Sequence, residues 1–269
     1  MYLEYYNLHE QPFNVTPDPK FLYMTGQHST ALNHLLYSIQ HRKGFALLTG
    51  EVGTGKTTLC RSLLSRLGER FHTALILNPM LTATQMLRAV VTEFGVECTR
   101  SDRLGYVTAL NTFLLGVNSD GHDAVLIIDE AQDMSVELLE TVRLLSNLET
   151  NSHKLIQIVL AGQPELRTML RSPSLRQLAQ RITIRYHLSS MSRGDTAEYL
   201  KHRLSVAGGG GQLHFDDDAV NEIYEFTCGT PRLINAVGDK ALLAGYVSGS
   251  DAIDNEIVRL AISDLKEAA

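Results

Sequence analysis

Gly50-Glu51-Val52-Gly53-Thr54-Gly55-Lys56-Thr57-Thr58 sets the architecture of this chain. Before it lies the apolar run Phe45-Ala46-Leu47-Leu48, and after it the helix-like text Leu59–Leu67. That order is strand, glycine loop, helix, and the spacing is that of the phosphate-binding loop G-x-x-x-x-G-K-[ST]. Each residue type has a physical task. Glycines let backbone N–H groups turn inward around phosphate oxygens. The helix behind them offers unpaired N–H groups and the positive end of its dipole to the same anion. Lys56 can reach the β- and γ-phosphates, and the Thr57 hydroxyl can ligate Mg²⁺.

Downstream, strand-like and helix-like text alternate. Ala74–Leu77 reads as a strand, and Thr82–Phe94 and Leu104–Val117 read as amphipathic helices. Ala124–Ile128 is an unbroken apolar run, which suits a central parallel strand buried on both faces. Asp129 and Glu130 stand where that strand ends, at the edge where open α/β sheets hold ligands. Asp129 is placed to hold Mg²⁺ through water, and Glu130 to polarise an attacking water. The alternative is an acidic pair capping the helix Ser135–Leu148. Leu155–Ala161 is the next strand, and Gln163 follows its end. That amide can touch a γ-phosphate or orient water, or it can pair with loop backbone. Arg176 and Arg181 precede Ile182–Leu188, whose alternation suggests an exposed edge strand. An arginine there can project to the γ-phosphate of a neighbouring subunit, or form a surface ion pair. The sequence does not choose between the two arginines.

After Leu188 the text becomes purely helical, which places a domain boundary near Ser189–Ser192. Thr196–Val206 reads as a helix, Gly208–Gly211 as a flexible joint, and Asp216–Asp218 as the cap of the next helix. Gly229 stops that helix and Pro231 starts another. Arg232 then falls in a first turn, where a cation opposes the helix dipole. A residue that breaks a local rule points to an external anion, so Arg232 is a candidate phosphate contact. Asn255–Leu265 closes the chain as an amphipathic helix. At the other end, Pro12-Phe13, Pro17-Asp18-Pro19 and Phe21-Leu22-Tyr23 predict an extended arm, lying over an adenine ring or covering the sheet edge. Gln27–Gln40 then reads as a helix.

Bulk properties narrow the function classes. The 269 residues carry a formal charge of −6, which gives no global push toward nucleic acid. Arg61, Arg66 and Arg70, or Lys201 and Arg203, are the candidate local basic faces, each also readable as a solvated helix face. No apolar stretch is long enough for a membrane span, and no signal peptide is expected at Met1–Tyr6. Cys60, Cys98 and Cys228 lack metal-ligand spacing and read as core thiols in a reducing cytoplasm. The ten histidines form no metal motif, and no nucleophile elbow or Cys–His pair is present.

Together these residues resemble an AAA+ ATPase. The resemblance runs through Gly50–Thr57, Asp129-Glu130, the Gln163 strand end, Arg181-Ile182 and Gly229-Thr230-Pro231-Arg232. It implies a P-loop α/β domain over residues 1–188, with a parallel five-stranded sheet flanked by helices. It adds a small all-helical lid over residues 189–269, with ATP and Mg²⁺ held between the two. By that resemblance Gln163 takes the sensor 1 role, Arg232 the sensor 2 role and Arg181 the role of arginine finger in a homo-oligomer. A narrower set resembles the ExeA/GspA type of secretion ATPase, with pilus-biogenesis and exopolysaccharide relatives. It comprises Pro12-Phe13, Pro17-Asp18-Pro19, Phe21-Leu22-Tyr23, His28, Thr49–Thr58, Asp129-Glu130-Ala131-Gln132 and Leu160–Leu166. That type works in the cytoplasm, at the inner face of the inner membrane through partners, and is often followed by a membrane span and a periplasmic part. This sequence ends at Ala269 with neither, so a stand-alone relative or a truncated form is expected.

The first functional expectation is thus an ATPase serving a secretion, pilus or polysaccharide-export complex. The second is a DNA-binding regulator resembling the TniB/TnsC transposition ATPases, which share much of the motif set. A non-hydrolysing switch is disfavoured by the intact Glu130.

Overall fold

Ala124–Ile128 has no polar face to give to water, and the chain buries it between two neighbours in a parallel sheet. The computed structural model describes residues 1–14, 18–150 and 154–267. In chain order the elements are α1 (Tyr2–Tyr5), α2 (Gly26–Gln40), β1 (Phe45–Gly50), α3 (Lys56–Arg66), β2 (Phe71–Ile76), α4 (Ala83–Glu93), α5 (Arg103–Ser119) and β3 (Asp123–Ile128). They continue as α6 (Val136–Leu145), β4 (Ile156–Gly162), α7 (Pro164–Met169), α8 (Arg176–Arg181), β5 (Ile182–Leu188), α9 (Arg193–Val206), β6 (His214–Phe215), α10 (Asp217–Thr227), α11 (Pro231–Ser248), β7 (Ala252–Ile253) and α12 (Asn255–Glu267). Two units result: Gln27–Val52 with Leu59–Leu188, and Met1–Gly26 with Gly53–Thr58 and Ser189–Ala269.

The first unit is the expected α/β fold. Its five strands run in the order β2-β3-β4-β1-β5, and every pair is parallel. β1, β3 and β4 are buried along their whole length, while the edge strands β2 and β5 are only partly covered. The register sets Thr49 beside Gly162 and Ile128 beside Leu160, so the ends of β1, β3 and β4 emerge on one edge. Leu87, Leu110, Leu126, Leu139 and Leu160 belong to the core that joins the sheet to its helices.

Local chemistry starts the helices. Thr82 and Gln85 form a capping box on α4, and Asp102 accepts from Gly105 N–H to open α5. Ser135 Oγ accepts from Leu138 N–H at 3.1 Å and caps α6. The hydroxyl, not the acidic pair, therefore opens that helix. Arg70, read as part of a basic face, instead pairs with the buried Asp123 at 3.0 Å, where Arg42 joins it at 2.7 Å.

The second unit is helical except for the short parallel pair β6–β7, where an all-helical lid is expected from sequence. From sequence, residues 1–26 belong with the α/β domain. In the structure Tyr6, Leu8, Phe13 and Phe21 are buried in one cluster with Tyr199, Leu200, Ile223, Val237, Leu242 and Val258. Burying these large side chains withdraws apolar area from water, which favours this placement. Pro17 lies outside the described residues, and Pro19–Phe21 makes a single 3-10 turn where extended chain is predicted.

Arg203, read as a candidate surface cation, is buried. It donates to the carbonyls of Pro12 and Asn14, the latter at 3.0 Å, and to Tyr199 Oη at 3.2 Å. Its guanidinium lies 4.5 Å from the Phe21 ring centre. Arm carbonyls outside a helix or ladder need such a donor once they are buried. Gly208, predicted as part of a flexible joint, packs against His9, and Gly209 against Leu8. Asp216 occupies the N-cap of α10 without a side-chain capping bond, and Asp217 and Asp218 lie inside the first turn, where their charge favours the dipole. Cys228, predicted as a core thiol, is exposed. Gly229 must be glycine: at φ +70°, a Cβ would sit 1.9 Å from the Met191 carbonyl oxygen. No helix among the described residues is long and apolar enough to cross a membrane.

Replacing Arg203 with Met removes its donors from the Pro12 and Asn14 carbonyls, of which Asn14 keeps the Asn235 amide at 3.4 Å. A loss of about 2–4 kcal/mol is expected, read as a lowered Tm with new protease cleavage within residues 1–26. An unchanged Tm would remove Arg203 from that role.

Candidate nucleotide site

The phosphate loop begins where β1 ends at Gly50, and α3 begins at Lys56. Between them Gly53 and Gly55 take φ of +79° and +95°, values open to glycine at little cost. Glu51 and Val52 are exposed, Thr54 and Lys56 are buried, and Gly53, Gly55, Thr57 and Thr58 are half-buried. Arg232 is brought to this loop. Its N–H donates to the Gly53 carbonyl at 3.4 Å, and a Cβ added to Gly53 would meet Arg232 Cβ at 2.6 Å. Arg232 is the second residue of α11, after Pro231, and is exposed. The loop's N–H groups, the first turn of α3, Lys56 and Arg232 are thus a candidate anion-binding set.

The second set stands on the sheet edge of the α/β unit. Asp129 is buried just beyond β3, and its Oδ1 accepts from Glu130 N–H at 2.9 Å. Glu130 adopts the left-handed region at φ +50°, as Asn7, Arg42 and Cys228 also do, a conformation that costs a non-glycine residue some backbone strain. Gln132 Nε2 donates to Glu130 Oε2 at 2.8 Å, and Gln163 Nε2 approaches the same oxygen at 3.5 Å. The strand-end amide therefore meets the carboxylate, and not merely loop backbone. Gln163 N–H also donates to Gln132 Oε1 at 2.9 Å.

Arg181 stands apart from the second set in its own chain. It precedes β5, so it lies at the opposite end of the parallel strands from Asp129 and Gln163. Its Nη1 donates to Ser146 Oγ at 2.5 Å and to the Arg143 carbonyl at 3.4 Å. Arg176 is exposed at the start of α8. Gln132 is the site residue that motif reading leaves without a role. Its signal was present, an amide two residues past the acidic pair in Asp129-Glu130-Ala131-Gln132.

A family model described as an AAA domain matches residues 8–170. General secretion pathway protein A of Aeromonas hydrophila is 46% identical over 262 residues, covering 97% of this chain and 48% of that protein. The chain thus spans about half the length of the curated relative it matches. Among solved structures, the ORC2 protein of Aeropyrum pernix has a TM-score of 0.72 at 18% identity, covering 97% of this chain and 72% of that one. The RuvB Holliday junction branch migration motor of Thermotoga maritima has a TM-score of 0.58 at 21% identity, covering 88% of this chain and 69% of that one. At such identities these two show the fold alone. The chain belongs to the AAA domain family and, within it, to the ExeA/GspA type of AAA+ ATPase.

Proposed function

We propose that the chain binds and hydrolyses ATP with Mg²⁺, and that the hydrolysis powers or regulates assembly of a bacterial secretion, pilus or polysaccharide-export complex. The observation that carries the enzymatic part is the edge shared by Gly50, Asp129 and Gln163, with Glu130 held by amides beside it. The 46% identity to General secretion pathway protein A supports the assembly part.

Each residue takes a stated task. Gly50, Glu51, Val52, Gly53, Thr54, Gly55 and Thr58 shape the loop whose N–H groups bind the phosphates. Lys56 and Arg232 neutralise phosphate charge. Thr57 and Asp129 hold Mg²⁺, which when bound offsets the charge that builds on the β- and γ-oxygens. Glu130 accepts a proton from water, the water oxygen bonds to the γ-phosphorus, and the bond to the β–γ bridging oxygen breaks. Gln163 orients the water or the γ-phosphate.

The active form is a homo-oligomer. Arg181, or the more exposed Arg176, reaches the neighbour's nucleotide, and Arg181 must first leave Ser146 to do so. The setting is the cytoplasm, at the inner membrane face through partners. Duplex DNA is the weaker partner choice. The charge is −6, and Arg70 and Arg203, from the two candidate basic faces, are spent on Asp123 and the arm.

Two results are expected. Lys56→Ala abolishes binding of a fluorescent ATP analogue, while Glu130→Gln keeps binding and lowers kcat by at least about 100-fold. Turnover equal to the parent in the Glu130 variant would remove the base role. Adding duplex DNA at low salt leaves the ATPase rate within about twofold, where a strong, salt-sensitive stimulation would instead favour the transposition-type regulator.

A further inference from the structure

Gln132 makes the closest side-chain contact that Glu130 has among the described residues, 2.8 Å from its Nε2 to the carboxylate Oε2. An amide side chain is a donor at one end and an acceptor at the other, so its orientation must be fixed by its surroundings. Here the backbone fixes it. Gln163 N–H, a donor that cannot reverse, points at Gln132 Oε1 from 2.9 Å. The NH₂ end is thereby forced toward Glu130.

Space for this arrangement comes from Gly162. A Cβ there would lie 2.8 Å from Gln132 Oε1. The side chain of Gln163 reaches the same carboxylate oxygen, Oε2, at 3.5 Å. Two amides therefore converge on one oxygen of Glu130. Both are tied to the end of β4, one by the backbone N–H and the other as the strand-end residue itself.

We infer that Gln132 is a positioning residue for hydrolysis: its amide holds Glu130 Oε2, leaves Oε1 as the oxygen that takes the proton, and links the base to the Gln163 strand end. The inference rests on the reading of Glu130 as the base. Glu130 sits at φ +50°, so its side chain leaves the backbone in a direction that no regular element sets. The amide pair supplies the missing constraint. Loss of that constraint lets the carboxylate swing, and small misplacements of a catalytic group are costly in rate.

The test is Gln132→Met, which keeps length and volume and removes both hydrogen bonds. In the full chain kcat is expected to fall about 10- to 100-fold, while Kd for an ATP analogue stays within about threefold and Tm within a few degrees. Placed on Glu130→Gln, the same change is expected to add nothing, because a residue that acts through the carboxylate has nothing left to position. Gly162→Ala, whose new methyl displaces Gln132 Oε1, is expected to reproduce part of the kcat loss and serves if the Met variant folds poorly. A parent chain that hydrolyses ATP, with an unaltered kcat in Gln132→Met or an equal further loss on Glu130→Gln, overturns the inference and spares the base. A parent chain that binds ATP without turnover overturns the reading of the base and the inference with it.

Discussion

The site depends on parallel pairing of β1 with β4, and of β4 with β3. Parallel strands deliver their carboxyl ends to the same edge, and this pairing gathers a loop at Gly50, an acid at Asp129 and an amide at Gln163. The three segments are far apart in sequence, and each carries only a fragment of the chemistry. The register makes the gathering specific. With Thr49 beside Gly162, a shift of one residue along β4 would turn its side chains to the other face of the sheet and carry Gln163 away from Glu130. The buried faces of β1, β3 and β4 resist such a shift, since every strand position is packed.

Around this edge, hydrogen bonds do the fine work that packing cannot. The Asp129 carboxylate accepts from the next N–H in the chain, and the strained Glu130 backbone is steadied from the side by Gln132. In the helical unit Arg203 plays a comparable part for the arm, with one guanidinium serving two carbonyls, a phenol and an aromatic face. Both devices place a polar group where an apolar one would pack as well but leave its neighbours unsatisfied.

The fold was legible where period and length agreed. Ala124–Ile128 read as a doubly buried strand because no polar residue interrupts it, and Ile182–Leu188 as an edge strand because its residue types alternate. The phosphate loop was legible because a fixed spacing encodes a fixed backbone path, and Gly53 and Gly55 take the positive φ that this path needs. Tertiary partners were not legible. Nothing local in Phe13 or Phe21 says that they join α9–α12, and nothing local in Arg203 distinguishes a buried clamp from a solvated face. The role of Gln132 is hidden for a related reason. Its meaning lies in Gln163 N–H, more than thirty positions downstream in the chain, and no spacing rule predicts that contact. Arg181 was named from its place before β5, but its hold on Ser146 depends on how α6 and α8 meet.

The helical unit draws its core from both ends of the described chain, with Phe13 and Phe21 on one side and Tyr199, Val237 and Val258 on the other. A ribosome makes the first two long before the others. During synthesis the whole α/β unit can close while these two aromatic rings are still without the helices that shelter them. Until α9–α12 arrive, Phe13 and Phe21 therefore lack the apolar partners they are buried against in the folded chain.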